Sequence, residues 1–513
     1  MIDYGIDIVH RLEKNYMKDF ISLVKSISTE EFIRFWGEIS IKLYQKQLKS
    51  NSENEQTAMI KLPIKMYQYG FIKRNVELIL SAWDIPDMIY TSICESNDYR
   101  KGHMTEDNVV EVINLYRGFE NDKSKVNYLK EASLAGIFTY LMGMTYEQFC
   151  FQNLSWTLQN FNRNYHILVA SDKINRRDIL DIEEIVMEQF GFGLDEFLIT
   201  ELIILWLCGQ HSDPLTAPED MYKGKVSQDV TREKIEKIIN YYSVDYNQVR
   251  NSIIKKQIFY SKPFVKTKKY KQTLLVSMHL LQMSFADGLY WLERDYYLNK
   301  KMGPKFLIEF GNMFEDYFNE LAQLYLQRNM WAKIPEGKEK SADFYMEFEN
   351  VLFLFELKSG TLGIGAKQQV PDTDLIEKFY SRNIREAYEQ LKASEKVYNN
   401  EKQIIKVFLL YEFTNNTQIM MYSLPEIFEK DKYAYILTIS DLEMFLATYK
   451  HDRRKFQNVI NDLIENSMDE HRKCFLDILR KNDAIGNLHF VNERDYFSKI
   501  LQKLAPDIEV AGE

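Results

Sequence analysis

The stretch SADFYMEFENVLFLFELKSG, residues 341–360, decides the fold that this sequence predicts. It contains two extended runs, 342–348 and 351–356, that are rich in aromatic and β-branched residues, as strands are. The runs meet at Glu349-Asn350, so the pattern predicts a β-hairpin. The second run is almost wholly apolar, which predicts that its strand is buried.

Three charged side chains are expected to meet at the end of this hairpin. Glu356 and Lys358 are two residues apart, so on a strand they leave the same face. Asp343 opens the preceding strand, and antiparallel pairing returns it beside the end of its neighbour. The alternative interpretation is an ion pair at a strand end without a further role. The apolar strand before Glu356 and the small residues Ser359 and Gly360 after the pair favour a functional site instead.

Such a cluster suits a magnesium site. Mg²⁺ prefers hard oxygen ligands, usually one or two protein carboxylates with water and substrate phosphate in the remaining positions. Asp343 and Glu356 are therefore the candidate ligands for Mg²⁺, or for Mn²⁺ in its place. Lys358 is the candidate for orienting or deprotonating a water molecule and for stabilising charge on a phosphate. This chemistry predicts hydrolysis of phosphodiester bonds.

Asp343 followed by Glu356-Leu357-Lys358 resembles the signature of the PD-(D/E)xK nuclease superfamily, whose members share the restriction-endonuclease-like fold. The resemblance spans roughly residues 305–446, under a third of the chain. It departs from the superfamily pattern at Ala342, which stands before Asp343 where proline is usual. The resemblance implies an α/β domain with a mixed central sheet and an Mg²⁺-dependent endonuclease.

The resemblance also implies further site residues. Glu315, in the segment GNMFEDYFNELAQLY, would lie on the helix that opens the fold, as a ligand or close to the ligands. Gln390, in EAYEQLKAS, would match a glutamine that is frequent beside the site. The backbone carbonyl of Leu357 would be a third metal ligand. The segment 404–413 would form the strand that completes the core. Glu315 and Gln390 each have a simpler interpretation as solvated helix residues.

The composition is that of an ordinary globular protein with more than one domain. The chain has 513 residues, 45% of them hydrophobic, with only 10 prolines and 20 glycines, which favours a mostly helical structure. Its four cysteines are far apart, so no disulfide framework or zinc site is indicated. The first residues lack a signal peptide, and the most apolar run, 197–208, is too short to span a membrane. We therefore expect a cytoplasmic protein with no membrane partner.

Three consecutive regions are predicted. Residues 1–300 are expected to form a mostly α-helical recognition or regulatory region, which could also bind a protein partner or a second copy of the chain. Residues 301–450 are expected to form the nuclease-like domain. Residues 451–513 are expected to form a helical extension.

One segment is a candidate for binding nucleic acid. Between residues 255 and 271, seven lysines alternate with four aromatic residues, and lysines can neutralise phosphates while aromatic rings stack on bases. A solvated lysine face with the aromatic rings packed inward explains the pattern equally well. The candidate phosphate contacts are Lys262, Lys266, Lys268 and Lys269 here, and Lys367 and Arg385 in the C-terminal half.

The sequence thus predicts a nuclease that acts on DNA, and analogy with nucleases of similar layout suggests a role in bacterial antiviral defence against foreign DNA. Two alternatives stay open at this point. A ribonuclease would use the same residues, and a nucleic-acid-binding or assembly protein could keep the fold without cleaving. No nucleotide-binding loop competes for the role, because in the glycine-rich segment 360–367 the lysine does not directly follow the last glycine.

Overall fold

The computed structural model describes most of the chain. The described residues are 16–49, 59–68, 72–120, 133–134, 136–138, 141–142, 145, 151, 155–171, 181–222, 230–335, 340–362, 373–398, 401–411, 417–468, 472–484 and 494–504.

Helices make up most of this described part. The helices before residue 300 are α1 (Tyr16–Ser26), α2 (Thr29–Lys49), α3 (Asp84–Glu95), α4 (Glu106–Glu120), α5 (Ser155–Tyr165), α6 (Ile182–Phe190), α7 (Leu194–Cys208), α8 (Arg232–Tyr241), α9 (Tyr246–Arg250), α10 (Ile258–Ser261), α11 (Met278–Ala286) and α12 (Gly288–Asn299). The later helices are α13 (Gly303–Tyr325), α14 (Thr373–Tyr380), α15 (Glu386–Val397), α16 (Thr417–Ser423), α17 (Pro425–Phe428), α18 (Ile439–His451), α19 (Arg453–Asn466), α20 (Phe475–Lys481) and α21 (Tyr496–Leu504). The mostly helical character predicted from composition is confirmed.

Strands occur in both halves of the described chain. An antiparallel pair is formed by β1 (Met59–Gln68) and β2 (Ile72–Ser81). A three-stranded sheet is formed by β3 (Ser243–Asp245), β4 (Phe264–Lys266) and β5 (Thr273–Leu275). A five-stranded sheet is formed by β6 (Trp331–Lys333), β7 (Phe344–Glu347), β8 (Val351–Lys358), β9 (Gln403–Leu410) and β10 (Ala434–Thr438).

The strands before residue 300 were not foreseen from the sequence. β3, β4 and β5 have three residues each, which is too short for an alternating pattern to be recognised. β1 includes Pro63, a residue that argues against a strand because it cannot donate to a ladder. Pairing partners supplied by the folded chain stabilise these strands where local preference alone would not.

The chain forms two compact units, each assembled from separate segments. The first unit comprises Met1–Glu131, Cys150–Leu154 and Glu196–Ser284, and the second comprises Ala132–Phe149, Ser155–Asp195 and Phe285–Glu513. The second unit therefore includes stretches that precede residue 300, and the units do not follow the three consecutive regions that the sequence suggests.

The five-stranded sheet lies in the second unit, with strand order β10-β9-β8-β7-β6. Neighbouring strands are antiparallel from β6 to β8 and parallel from β8 to β10, so the sheet is mixed as predicted. Parallel neighbours need a long crossover connection. Between β8 and β9 the crossover contains α14, a π-helical turn at Ser381–Arg385, and α15. β8 is thus the central strand.

Side chains of β8 alternate between two helical layers. Phe353 packs against Phe445 of α18, and Phe355 packs against Phe318 of α13, on one face of the sheet. Leu352 and Leu354 belong to a buried cluster with residues of α14 and α15 on the other face. Every residue of β8 before Lys358 is buried. Burial on both faces explains why this strand is apolar without alternation.

A search of the described residues finds no helix with the length and apolar character needed to cross a membrane. The apolar run at 197–208 lies in α7, where its aliphatic residues other than Leu205 are buried.

Candidate active site at the end of strand β8

The predicted hairpin is formed by β7 and β8, and it brings Asp343, Glu356 and Lys358 together. Asp343 precedes β7 by one residue, which places it across from Glu356 in the hairpin register and on the same face. Lys358 Nζ lies 2.8 Å from Glu356 Oε1. The backbone N–H of Leu357 donates a hydrogen bond of 2.7 Å to Asp343 Oδ2. The three charged groups therefore share one small volume where β8 leaves the sheet.

The two carboxyl groups are held in surroundings that resist their ionisation. The pKa of Glu356 is raised to about 7, chiefly by burial and then by the charge of Asp343, while Lys358 acts in the opposite direction. Burial also raises the pKa of Asp343, which is opposed by the hydrogen bond from Leu357. A cation placed between two nearby, partly dehydrated carboxylates stabilises both of them, because a positive charge favours both ionised forms.

One oxygen of Glu356 has no hydrogen-bond partner among the described residues. Only 2% of Glu356 is exposed, and within the described part of the chain its Oε2 is buried without a hydrogen bond. A buried carboxylate oxygen left in this way costs free energy unless a cation or water satisfies it. The oxygen donors of Glu356 and Asp343 therefore fit a hard divalent cation.

The number of acidic groups limits what kind of metal site this can be. Among the described residues, no group of three or more His, Cys, Asp or Glu side chains is arranged to hold a metal ion. Mg²⁺ commonly uses only one or two carboxylates and leaves its other positions to water and phosphate. Asp343 and Glu356 suit that mode of binding, whereas they would be too few for a closed structural site.

Glu315 lies near the carboxylate pair but is itself paired with a residue that the sequence did not single out. Its charge acts on both Asp343 and Glu356, raising their pKa values. Glu315 Oε2 lies 2.5 Å from Nζ of Lys333, on the edge strand β6. Lys333 in turn favours the ionised form of Asp343. Lys333 could have been found only by predicting the short strand β6, which pairs with β7. That strand is too short to give a clear sequence pattern.

Gln390 secures the segment that leads into the site. Its side-chain amide donates to the carbonyl oxygen of Ser341 at 3.4 Å. One turn later on α15, Ser394 Oγ accepts a hydrogen bond of 2.8 Å from the backbone N–H of Ala342. Both contacts hold the backbone immediately before Asp343. The structure therefore places Gln390 beside the start of the hairpin, where it positions the chain.

Asn383 is a second residue that sequence reasoning missed. It lies in the π-helical turn between α14 and α15, and such turns are frequent at functional sites. A Cβ atom added to Gly360 would lie only 2.9 Å from Asn383 Oδ1. Gly360 therefore permits the side chain of Asn383 to approach the backbone two residues after Lys358. No motif marks an asparagine in this position, because the π-helical turn that carries Asn383 cannot be recognised from the sequence pattern.

The candidate phosphate contacts have different surroundings. Arg385 lies 2.5 Å from Glu377 and 2.9 Å from Glu426, so two carboxylates already pair with it. Lys262 Nζ donates a hydrogen bond of 2.6 Å to the carbonyl oxygen of Tyr241, and it lies over the aromatic ring of Tyr241. Lys367 lies outside the described residues.

Three of the four lysines in the 264–275 hairpin complete this set of candidate phosphate contacts. Lys266 is half-buried on β4 in the first unit, whereas Lys268 and Lys269 are exposed beyond the end of that strand. Of the six predicted phosphate contacts, these two have the most accessible side chains among the described residues.

A scan of the sequence against protein-family models finds no match, and a search of the curated proteins finds none either.

Proposed function

We propose that this protein is an Mg²⁺-dependent nuclease that hydrolyses DNA phosphodiester bonds. The observation that carries the proposal is the meeting of Asp343, Glu356 and Lys358 at the end of the central strand, with a buried carboxylate oxygen that no described residue pairs with. An ion pair alone does not account for this arrangement, because Lys358 uses only one of the two oxygens of Glu356, and the other has no hydrogen-bond partner among the described residues.

The order of elements around the site supports the same proposal. Helix α13 is followed by the β6-β7-β8 meander, then by α14 and α15, and then by β9, which is parallel to β8. This is the order of helix, hairpin, helix and strand expected from the resemblance to the PD-(D/E)xK superfamily. The charged residues fall at the end of the strand where that resemblance requires them.

Each residue has a distinct role in the proposed reaction. Asp343 and Glu356 would hold Mg²⁺ through their carboxylate oxygens, with the carbonyl of Leu357 beside them. When bound, the ion offsets charge on a phosphate and lowers the pKa of nearby water. Lys358 keeps an ammonium group next to Glu356 and extends beyond the buried strand, where it can orient the attacking water and stabilise the phosphate charge.

Plasmid cleavage tests the proposal. Purified protein is incubated with supercoiled plasmid and Mg²⁺, with EDTA in a parallel reaction, and the products are separated on a gel. We expect cleavage that requires Mg²⁺ and that falls by about two orders of magnitude or more in Asp343→Asn and Glu356→Gln, since both ligands are acidic. Glu386→Gln is the matched control, because Glu386 is exposed on α15 and its substitution removes the same charge.

Three results would reject the proposed site, the proposed substrate or the proposed reaction. Undiminished cleavage by Asp343→Asn would reject the site. Cleavage of labelled RNA with none of DNA would assign a ribonuclease. Binding of DNA without any Mg²⁺-dependent product, unchanged by Glu356→Gln, would indicate a protein that keeps the fold without the reaction.

A further inference from the structure

An exposed cationic turn projects from the three-stranded sheet of the first unit. It joins β4 to β5 and consists of Lys268, Lys269, Tyr270 and Lys271, which we call the lysine tip. All four residues are exposed, and Tyr270 is 61% exposed although it is a large aromatic residue. An exposed tyrosine among three lysines in consecutive positions is unlike the chain as a whole, whose net charge is -10.

A buried carboxylate fixes the backbone of the lysine tip. Asp98 is only 1% exposed, and its Oδ2 accepts hydrogen bonds from the backbone N–H groups of Lys268 and Lys269, at 2.8 and 3.1 Å. Its Oδ1 accepts from the hydroxyl of Tyr246 at 2.6 Å and from the backbone N–H of Glu30 at 3.1 Å. Four donors thus satisfy the carboxylate, and two of them belong to the turn itself.

The base of the turn is closed by reciprocal hydrogen bonds. The backbone N–H of Thr267 donates to the carbonyl of Gln272 at 2.8 Å, and the N–H of Gln272 donates to Thr267 Oγ1 at 3.0 Å. The guanidinium group of Arg34 on α2 donates to the side-chain oxygen of Gln272. Lys271 adopts a left-handed conformation with φ of 52°, which completes the reversal of the chain. A turn held at so many points loses little further conformational entropy when it binds a ligand.

The lysine tip presents positive charge and an aromatic face together. Lys269 Nζ lies 4.7 Å from the centroid of the Tyr270 ring. Lys268 is anchored at its backbone by Asp98, yet its side chain is exposed. A base stacked on Tyr270 would therefore have its phosphate within reach of the neighbouring ammonium groups.

We propose that the lysine tip binds single-stranded nucleic acid, with the phosphates on its lysines and one base stacked on Tyr270. Proteins that hold single strands combine these two features, because lysines neutralise the backbone while an aromatic ring stacks on any base. A duplex keeps its base faces stacked inside and offers the ring nothing to bind. A lipid surface is less suited, because the lysine tip has no aliphatic side chain to insert.

This binding surface is separate from the proposed nuclease chemistry, and EDTA keeps the two apart. With EDTA present, fluorescence anisotropy is used to measure the dissociation constant of the full-length protein for a labelled single strand of about 12 nucleotides, within the site sizes of single-strand binders. DNA and RNA strands, a duplex of the same length, and vesicles with anionic lipid are compared. Each is titrated at several salt concentrations.

The variants separate the contribution of lysine charge to the affinity from the contribution of aromatic stacking. Combined replacement of Lys268, Lys269 and Lys271 by alanine is expected to weaken single-strand binding about tenfold or more and to reduce the salt slope by about 2. Tyr270→Ala is expected to weaken it by about five- to a hundredfold, whereas Tyr270→Phe keeps the ring and the affinity. The matched control replaces three other exposed lysines of the same unit, Lys42, Lys46 and Lys49 on α2.

The comparison between the two triple variants decides the outcome. A selective loss in the lysine-tip variant, reproduced by Tyr270→Ala, supports the proposal, and equal affinity for DNA and RNA strands is consistent with it. Equal losses in both triple variants would overturn it, since only net charge would then matter. Tight binding to anionic vesicles with none to single strands would overturn it too, in favour of a membrane surface.

Discussion

Glu356 is the residue on which the proposed chemistry depends. It lies at the end of a strand that is buried on both faces, with one oxygen paired to Lys358 and the other without a hydrogen bond to any described residue. Burial and the neighbouring Asp343 raise its pKa to about 7, so its ionised form is costly without a cation. If Glu356 holds the proposed metal ion, protons and the ion compete for the same carboxylate oxygens, and this competition can be measured.

Metal affinity should therefore depend on pH near neutrality. A carboxylate must be ionised to bind a divalent ion, so protons compete for Glu356 below its pKa. As pH falls from about 8 to about 6, we expect Mn²⁺ affinity to fall, approaching about tenfold per pH unit once below the pKa. Isothermal titration calorimetry in buffers of different ionisation enthalpy measures both the affinity and the protons released. Constant affinity over this range would contradict the assignment of Glu356.

Glu356→Gln should make the metal-free protein more stable at alkaline pH. A carboxyl group whose folded pKa is raised stabilises the fold fully below its ordinary pKa, and that stability is lost as pH rises to about 7. The wild-type free energy of unfolding should therefore fall more between about pH 4.5 and about pH 8 than that of the variant, by roughly 3 kcal/mol. Urea unfolding in EDTA provides the comparison. Glu386→Gln should follow the wild type, because Glu386 is exposed.

Lys358→Ala should abolish most cleavage while the fold persists. The variant removes the ammonium group beside Glu356 but leaves both carboxylates in place. A group that handles the proton of an attacking water typically contributes two to four orders of magnitude, so a loss of about 10²- to 10⁴-fold is expected. Single-turnover cleavage at saturating Mg²⁺ gives the rate, and circular dichroism checks the fold. Lys378→Ala, an exposed lysine on α14, is the control, and equal rates in both variants would exclude a role for Lys358.

A buried ion pair joins three helices of the second unit. Arg163 of α5 makes hydrogen bonds of 2.7 Å to both carboxylate oxygens of Glu443 on α18. The hydroxyl of Tyr317 on α13 donates to Glu443 at 2.7 Å, and Ser440 accepts from Arg163 at 2.8 Å. Glu443 is fully buried, so its charge depends on these partners. Polar contacts therefore hold α5, α13 and α18 together in addition to the apolar core.

Breaking this pair on one side should cost more than removing both charges. Glu443→Gln leaves the guanidinium of Arg163 buried without its counter-ion, which is expected to lower the free energy of unfolding by about 3–5 kcal/mol. In the double variant with Arg163→Met and Glu443→Leu, we expect much of this loss to be recovered, because no unpaired charge is left. Urea unfolding of the wild type, Arg163→Met, Glu443→Leu and the double variant completes the thermodynamic cycle, with Glu443→Gln measured beside it. Additive losses would show that the two side chains do not interact.

At the scale of the whole molecule, the second unit is built from segments that are far apart in the sequence. Residues 155–195 contribute α5, which carries Arg163, and also His166, whose Nε2 lies 2.5 Å from Glu320 Oε2 on α13. From residues 285–300, Tyr290 packs against Phe306 and Phe310 of α13. The helix that underlies the candidate site therefore depends on chain that precedes residue 300.

A fragment consisting of residues 301–513 should fail to fold as an independent domain. It would remove Arg163 from Glu443 and His166 from Glu320, and it would expose the aromatic face of α13 that Tyr290 covers. We expect it to lack a cooperative unfolding transition and to lose Mn²⁺ binding, whereas a fragment of residues 132–513, which keeps every segment of the second unit, retains binding. Differential scanning calorimetry and metal titration test both fragments. Cooperative unfolding of 301–513 would show that the earlier segments are dispensable.

The parts of the site that were predictable share a local cause. Residues 341–360 carry their own strand pattern, and strand periodicity together with antiparallel pairing fixes which side chains meet. Lys333, Asn383 and the pairing of Arg385 with Glu377 were not predictable in this way. They depend on a short edge strand, a π-helical turn and a side-chain orientation, none of which leaves a periodic signal.

The sequence by itself determined the mostly helical composition, the hairpin at 341–360 and the meeting of Asp343, Glu356 and Lys358, because each follows from preferences and spacing within a short segment. Only the tertiary structure decided which segments make up each unit, that Asp98 holds the lysine tip, and that Arg163 neutralises Glu443. These contacts join residues separated by 170 and 280 positions. Their partners are selected by burial in the folded chain, where a charge without a counterpart is too costly to remain.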